Sequence, residues 1–275
     1  MSGSRPASPG LFDSPPPPAA IEITAQRVSV VGVSPGASAT VTGQTSEALA
    51  DGVVTPALNG ANVHDQAALS AAIRAALDRL SPRPRRVALI LPDIVAKVSI
   101  LRFDKVPAKG DDLGQLVRWQ MRKAVPFKIE DAQVSWVEGA ATPNGGREYL
   151  VLAARRDVIA GYEAACDAAG VHAGIVDIAS LNLVNAVLAT VPGASTGDFL
   201  LVYVTSGYAT LVVVRNGLVI FYRNRPADAA GIDMGDLVHQ TAMYYEDRLG
   251  GAAFARVVLV HSFPTRRSSD RKSVV

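Results

Sequence analysis

The sequence predicts an α/β protein assembled from a duplicated unit, and three observations lead there. Short apolar strands alternate with amphipathic helices along nearly the whole chain. A β-meander followed by a helix and a strand occurs twice, from about residue 20 and again from about residue 200. A separate α/β stretch lies between the two copies, so the first copy is interrupted and the second is not.

The leader through Pro18, with its run Pro15-Pro16-Pro17-Pro18 and no apolar segment, reads as a disordered or polyproline-like piece rather than a signal peptide. Residues 21–24 and 28–33 alternate as strands, a turn follows at Ser34-Pro35-Gly36, and a third strand near 40–45 completes the meander. Asp65 is a helix N-cap ahead of Ala68, Leu69, Ala72, Ile73, Ala76, Leu77 and Leu80, and the prolines at 82 and 84 end that helix. Residues 87–91 are uniformly apolar, the pattern of a strand buried on both faces.

The middle stretch opens with a strand at 98–103. Asp111 and Asp112 begin a helix whose stripe is Leu113, Leu116, Val117, Met121 and Ala124, with Arg118, Arg122 and Lys123 at the end that favours cations. Strands at 133–137 and 148–153 flank Pro143-Asn144-Gly145-Gly146, a hairpin tip. Asp157 caps the next helix, which carries Val158, Ile159, Tyr162, Ala165, Cys166 and Ala169 on one face and stops at Gly170. A strand at 175–178 leads to a helix capped by Ser180, and residues 192–197 read as a boundary.

The second meander comprises 200–205, 210–214 and 218–222, with Asn216-Gly217 as a hairpin turn. When Ile21-Glu22-Ile23-Thr24 is laid over Val202-Tyr203-Val204-Thr205, Ser29 falls on Thr210. Asp233 caps a further helix, and 257–260 begins a strand. The expected organisation is a leader (1–18), a first subdomain (19–96 with 174–196), an inserted α/β subdomain (97–173) and a second, incomplete subdomain (197–260).

Residues 261–270 are what a common sequencing-adapter strand encodes, and its reverse complement encodes 271–275 followed by a stop. Residues 261–275 are therefore expected to be a non-native tail, with the natural second half continuing beyond it. Setting aside Arg266, Arg267, Asp270, Arg271 and Lys272 leaves 23 of the 27 basic and 24 of the 25 acidic residues, a net −1. The basic pI is then no nucleic-acid footprint. No apolar run approaches the ~18 residues of a membrane span.

Other chemistry is thin. The single cysteine, Cys166, sits on an apolar helical face and reads as a packed thiol in a reducing compartment. His64, His172 and His239 have no metal-ligand spacing. Arg83, Arg85 and Arg86 could touch lipid headgroups but read better as a solvated linker. Arg223 and Arg225 with Asn224 end a strand and read as partners for an acidic residue on the other half of the protein or, less readily, a phosphate.

Five segments carry a family resemblance. They are the strand ending Leu91-Pro92; Leu116-Val117-Arg118-Trp119-Gln120 through Ala124-Val125-Pro126-Phe127; Val151-Leu152-Ala153-Ala154-Arg155-Arg156-Asp157; Ala168-Ala169-Gly170; and Val176-Asp177. In order and spacing the chain over about 19–260 resembles the PilM family of type IV pilus assembly proteins. That family belongs to the actin-like (ribonuclease-H-like) branch that also holds the cell-division protein FtsA. The resemblance implies a cytoplasmic scaffold at the inner membrane that binds the N-terminal segment of a PilN-like membrane protein and reaches the pilus motor through it. It implies no nucleic-acid partner and membrane contact only through partners. It places the partner groove around Leu91, Pro92, Val98, Ile100, Arg102 and Phe103.

The resemblance also implies two nucleotide turns, and both are degenerate here. The first family motif has the form G-I-D-I-G, where this chain has Ala20-Ile21-Glu22-Ile23-Thr24. The second, D-x-G, is Tyr203-Val204-Thr205, with Ser206-Gly207 one residue late and Thr210 beyond. A Cβ in place of the glycine blocks close phosphate approach, and loss of the Asp removes a metal ligand. The degenerate cleft would be Glu22, Thr24, Thr205, Ser206, Gly207 and Thr210. No cofactor and no ATP hydrolysis are expected, with ATP and Mg²⁺ possible if the cleft is functional; Glu22 reads as a solvated strand-end residue or, less readily, a surviving metal-side carboxylate. Two alternatives stay open: a nucleotide-switched ATPase of the FtsA kind, and the cytoplasmic part of a GspL-like type II secretion protein.

Overall fold

A computed structural model describes residues 16–34, 40–107, 109–228 and 231–262. The leader through residue 15 and the tail from 263 onward, both singled out above, lie outside the described residues. The chain divides into two compact units. One takes the residues up to Thr55 with Val63–Leu91 and Gly161–Asp177; the other takes Pro56–Asn62, Pro92–Ala160 and everything from Ile178.

In the first unit, β1 (Ala19–Ile23), β2 (Arg27–Val33) and β3 (Val41–Ala48) form the expected meander. With β4 (Arg86–Leu91) and β8 (His172–Ile178) they make a sheet in the order β3-β2-β1-β4-β8, where β1 and β4 run parallel. The strand β4 is less thoroughly covered than its composition suggests. Val87, Leu89 and Leu91 are fully buried, whereas Ala88 and Ile90 on the other face are half-buried. Helix α1 (Gln66–Leu77) starts as predicted, with the Asp65 side chain accepting the Ala68 N–H at 2.9 Å. Its face of Leu69, Ile73, Ala76 and Leu77 is buried, each large side chain contributing roughly 1.5–3 kcal/mol. Helix α3 (Arg156–Ala168) belongs to this unit from Gly161 on, and its Tyr162, Ala165 and Cys166 are completely buried.

The second unit holds two sheets. One, in the order β5-β7-β6, is made by β5 (Ala96–Phe103), β6 (Ala132–Ala141) and β7 (Arg147–Arg155). Helix α2 (Gly110–Met121) lays Val117 and Met121 on Phe103, Val134, Tyr149 and Val151. Asp111 and Asp112 sit in its first turn, but neither caps it; Lys109 holds the N-cap position without a side-chain bond. At the hairpin tip Gly146 has a specific cause, because a Cβ there would stand 2.2 Å from the Phe103 carbonyl oxygen.

The other sheet runs β11-β10-β9-β12, from β9 (Asp198–Thr205), β10 (Tyr208–Arg215), β11 (Leu218–Pro226) and β12 (Arg256–Ser262). Asn216 and Gly217, with φ of 50° and 79°, make the hairpin turn the sequence asks for. Helix α4 (Ala179–Thr190) covers one face through Val184 and Val187, and α5 (Met234–Leu249) covers the other through Leu237 and Tyr245.

The duplication extends to the hydrogen-bond register. Ile23 pairs with Val28 and Glu22 with Ser29; in the second copy Val204 pairs with Ala209 and Tyr203 with Thr210. The parallel pairs Ile21–Leu89 and Val202–Leu259 correspond as well. Even the β-bulge recurs, at Gly32/Val33 in one meander and at Val213/Val214 in the other.

Candidate functional site

Of the residues predicted to face a nucleotide, Thr24 lies in a turn of the first unit and Thr205, Ser206 and Gly207 at a turn of the second, with Glu22 on β1 and Thr210 on β10. In the first, the Thr24 hydroxyl accepts the N–H groups of Gln26 at 3.3 Å and Arg27 at 3.1 Å, and donates to the Arg27 carbonyl at 3.1 Å. In the second, the Thr205 hydroxyl accepts from Gly207 at 3.2 Å and Tyr208 at 3.0 Å, and donates to the Tyr208 carbonyl at 3.0 Å. Each turn is thus folded around its own threonine. A phosphate-binding turn needs such N–H groups directed outward.

Glu22 is half-buried, and its carboxyl is held above the ordinary range by burial, with the Arg27 guanidinium at 3.9 Å working the other way. Ser206 and Gly207 are exposed, and nothing approaches the place a Gly207 Cβ would take. Thr210 departs from the expectation: it is completely buried and donates to Asp93 Oδ2 at 2.7 Å while accepting from Asn224 Nδ2 at 2.8 Å. A residue so placed lines no open cleft.

The predicted groove residues do not share one surface. Leu91 and Pro92 are buried. Along β5, alternate residues face opposite sides of the sheet. Val98 and Ile100 turn toward Ile178, Leu181, Val219 and Tyr222. Phe103 turns the other way, into the core under α2, with its ring 5.8 Å from that of Tyr149. Arg102 is exposed, 3.9 Å from Asp104. Only Ile100, half-buried, and Arg102 remain within reach of a partner laid along β5, which is an edge strand of its sheet.

Arg223 and Arg225 line a pocket of about 760 Å³ with Asp228, Asp233 and Asp236, so acidic residues of the same unit share their wall. Asn224 also lines that pocket, and its side-chain amide donates to Thr210. A second pocket, about 630 Å³, collects Arg79, Arg83 and Arg85 in the first unit. There Arg79 is paired with Glu47 at 2.5 Å and Arg83 with Asp78 at 2.7 Å. Burial pushes the Cys166 thiol up to about 12, which fits a packed thiol. Among the described residues no group of three or more His, Cys, Asp or Glu could hold a metal ion, and no helix is long and apolar enough to cross a membrane.

Sequence reasoning missed one cluster. Asp93 is completely buried, in a 3-10 turn over Asp93–Val95 between β4 and β5. It bonds Thr210 and also the Ser180 N–H, at 2.8 Å. The N-terminus of α4 is therefore held by Asp93, whereas the Ser180 hydroxyl meets the Tyr222 hydroxyl at 3.2 Å. The signal was available: Asp93 is the one charge between Val87 and Ala96.

Comparison with known proteins follows the same lines. The family model described as type IV pilus assembly protein PilM matches residues 20–236. Among solved structures, the chain is similar to one in a PilM–PilN type IV pilus biogenesis complex, at 22% identity and a TM-score of 0.67. The match covers 84% of this chain and 66% of that one, so the chain spans just under two thirds of its length. It is also similar to the cytoplasmic domain of EpsL, an inner-membrane component of the type II secretion system of Vibrio cholerae. That match has 8% identity, a TM-score of 0.49 and coverage of 90% and 82% of the two chains. No curated protein matches the sequence. With the repeated sheet order, the fold is the actin-like α/β fold that the sequence predicts.

Proposed function

The chain belongs to the type IV pilus assembly protein PilM family, and from that premise we propose that it is a cytoplasmic scaffold that holds the N-terminal segment of a PilN-like membrane protein and does not hydrolyse ATP. The observation that carries this reading is the pair of turns at Thr24 and Thr205, whose hydroxyls take the N–H groups that a phosphate would need. Glu22 adds to it. Its carboxyl lies 3.9 Å from the Arg27 guanidinium, and a cation already beside it opposes the approach of Mg²⁺. The similar solved structure is a complex of PilM with PilN, which supports a PilN-like partner here. An extended segment can pair with β5, an edge strand of its sheet, with Ile100 offering apolar contact and Arg102 a charge at the rim.

Calorimetric titration of a full-length homologue carrying these two meanders tests the proposal. ATP–Mg²⁺ is expected to give no heat, and a PilN N-terminal peptide is expected to bind and to weaken at least about tenfold with Arg102→Glu. Micromolar ATP binding, with turnover removed by Glu22→Gln, would instead establish a nucleotide-switched protein.

A further inference from the structure

Asp93 sits at the meeting point of four chain segments, all in the second unit. Its Oδ1 accepts from the first turn of α4 at Ser180, and its Oδ2 accepts from Thr210 on β10. Thr210 in turn accepts from Asn224 on β11. The Asp93 backbone N–H donates to the Tyr208 hydroxyl at 3.2 Å, and Tyr208 is the residue whose main chain closes the Thr205 turn. The 3-10 turn that carries Asp93 runs directly into β5.

We infer that Asp93 is a polar lock through which the β9–β10 turn and β5 fix one another's conformation. The apolar contact between the two sheets, Val98 and Leu150 against Val219 and Tyr222, is non-directional and would tolerate sliding. Hydrogen bonds are not so tolerant, and a buried carboxylate that loses one partner is left poorly compensated. The chain of donors has one polarity: the Asn224 amide donates to Thr210, and the Thr210 hydroxyl donates to Asp93. Displacement of the Thr205 turn therefore pulls Tyr208 from the Asp93 amide and loosens the start of β5. The inference stands on this geometry alone and not on the proposed partner.

The polarity supplies the test. Asp93→Asn places a donor against Thr210, which then has two donors and no acceptor facing it. The exchange Asp93→Asn with Asn224→Asp reverses the chain: the new side-chain amide at position 93 donates to Thr210, and Thr210 donates to the new carboxylate at position 224. Native-state hydrogen exchange is measured on the whole chain for the wild type, both single variants and the double variant. In Asp93→Asn, amides of 96–103 and 205–208 are expected to exchange at least about tenfold faster, with those of β1 and β2 unchanged. The double variant is expected to return to within about threefold of the wild type. A double variant no better than the sum of the singles overturns the lock, as does Asp93→Asn acceleration confined to Ser180. If Asp93→Asn does not fold, Tyr208→Phe removes the hydroxyl's bond to the Asp93 amide together with its bond to Tyr203 on β9, and leaves the Asp93 side chain its partners. Acceleration along β5 is then expected, and its absence overturns the inference.

Discussion

Thr24 and Thr205 hold the same register position in the two meanders, and the hydroxyl of each accepts two backbone N–H groups of its own turn. The likeness has a local cause. A threonine at the end of a strand can fold the next three residues around its side chain whatever the neighbouring sequence. The two turns share this geometry although Ala25-Gln26-Arg27 and Ser206-Gly207-Tyr208 have no residue in common.

Thr205→Val keeps the shape and removes the hydroxyl. It leaves the Gly207 and Tyr208 amides without that acceptor and is expected to cost about 1–2 kcal/mol. Thermal melting should register this as a fall of a few degrees. An unchanged melting temperature would mean the hydroxyl does not hold the turn.

Phe103→Ala is a core truncation. With the ring 5% exposed and packed against Tyr149, the expected loss is about 3–5 kcal/mol in denaturant unfolding. Arg102→Ala, at an exposed residue on the opposite face of the same strand, is expected to stay within about 0.5 kcal/mol of the wild type. Equal losses at the two positions would contradict the facing of β5 described above.

Asp198 gives a pH signature. Burial alone would raise its carboxyl, but hydrogen bonds from Arg215 and from the Tyr245 hydroxyl outweigh it and hold the group below the ordinary carboxylate range. A depressed folded-state value stabilises the protein above the unfolded carboxylate pKa of ~3.9, and that contribution is lost as pH falls through the folded value. Asp198→Asn should therefore lower the melting temperature by a constant amount above about pH 5 and by progressively less below about pH 4. A difference that does not change with pH would place the effect in packing.

Much of the fold is legible in the sequence, because strand and helix periodicities report locally on which face is buried. The caps at Asp65 and Asp233 were legible for the same reason: donor and acceptor lie three residues apart. The cap on α4 was not, because its acceptor comes from Asp93, distant in sequence. Asp157 shows a further limit: its carboxylate, instead of capping α3 from outside, sits in the first turn and pairs with Arg155. The candidate turns were found by position along the repeat, yet Thr210, counted with them, faces inward to Asp93.

The sequence by itself determined the order of elements, the duplication and the absence of the family's glycines from both turns. Each of these is written in residues close together or at matching places in a repeat. The tertiary structure decided what those residues face: the threonine hydroxyls folded back on their own turns, Phe103 turned into the core and Asp93 set between Ser180 and Thr210. The physical reason is that a buried polar group must find its partner wherever the packed chain brings one, and that partner has no fixed distance in sequence.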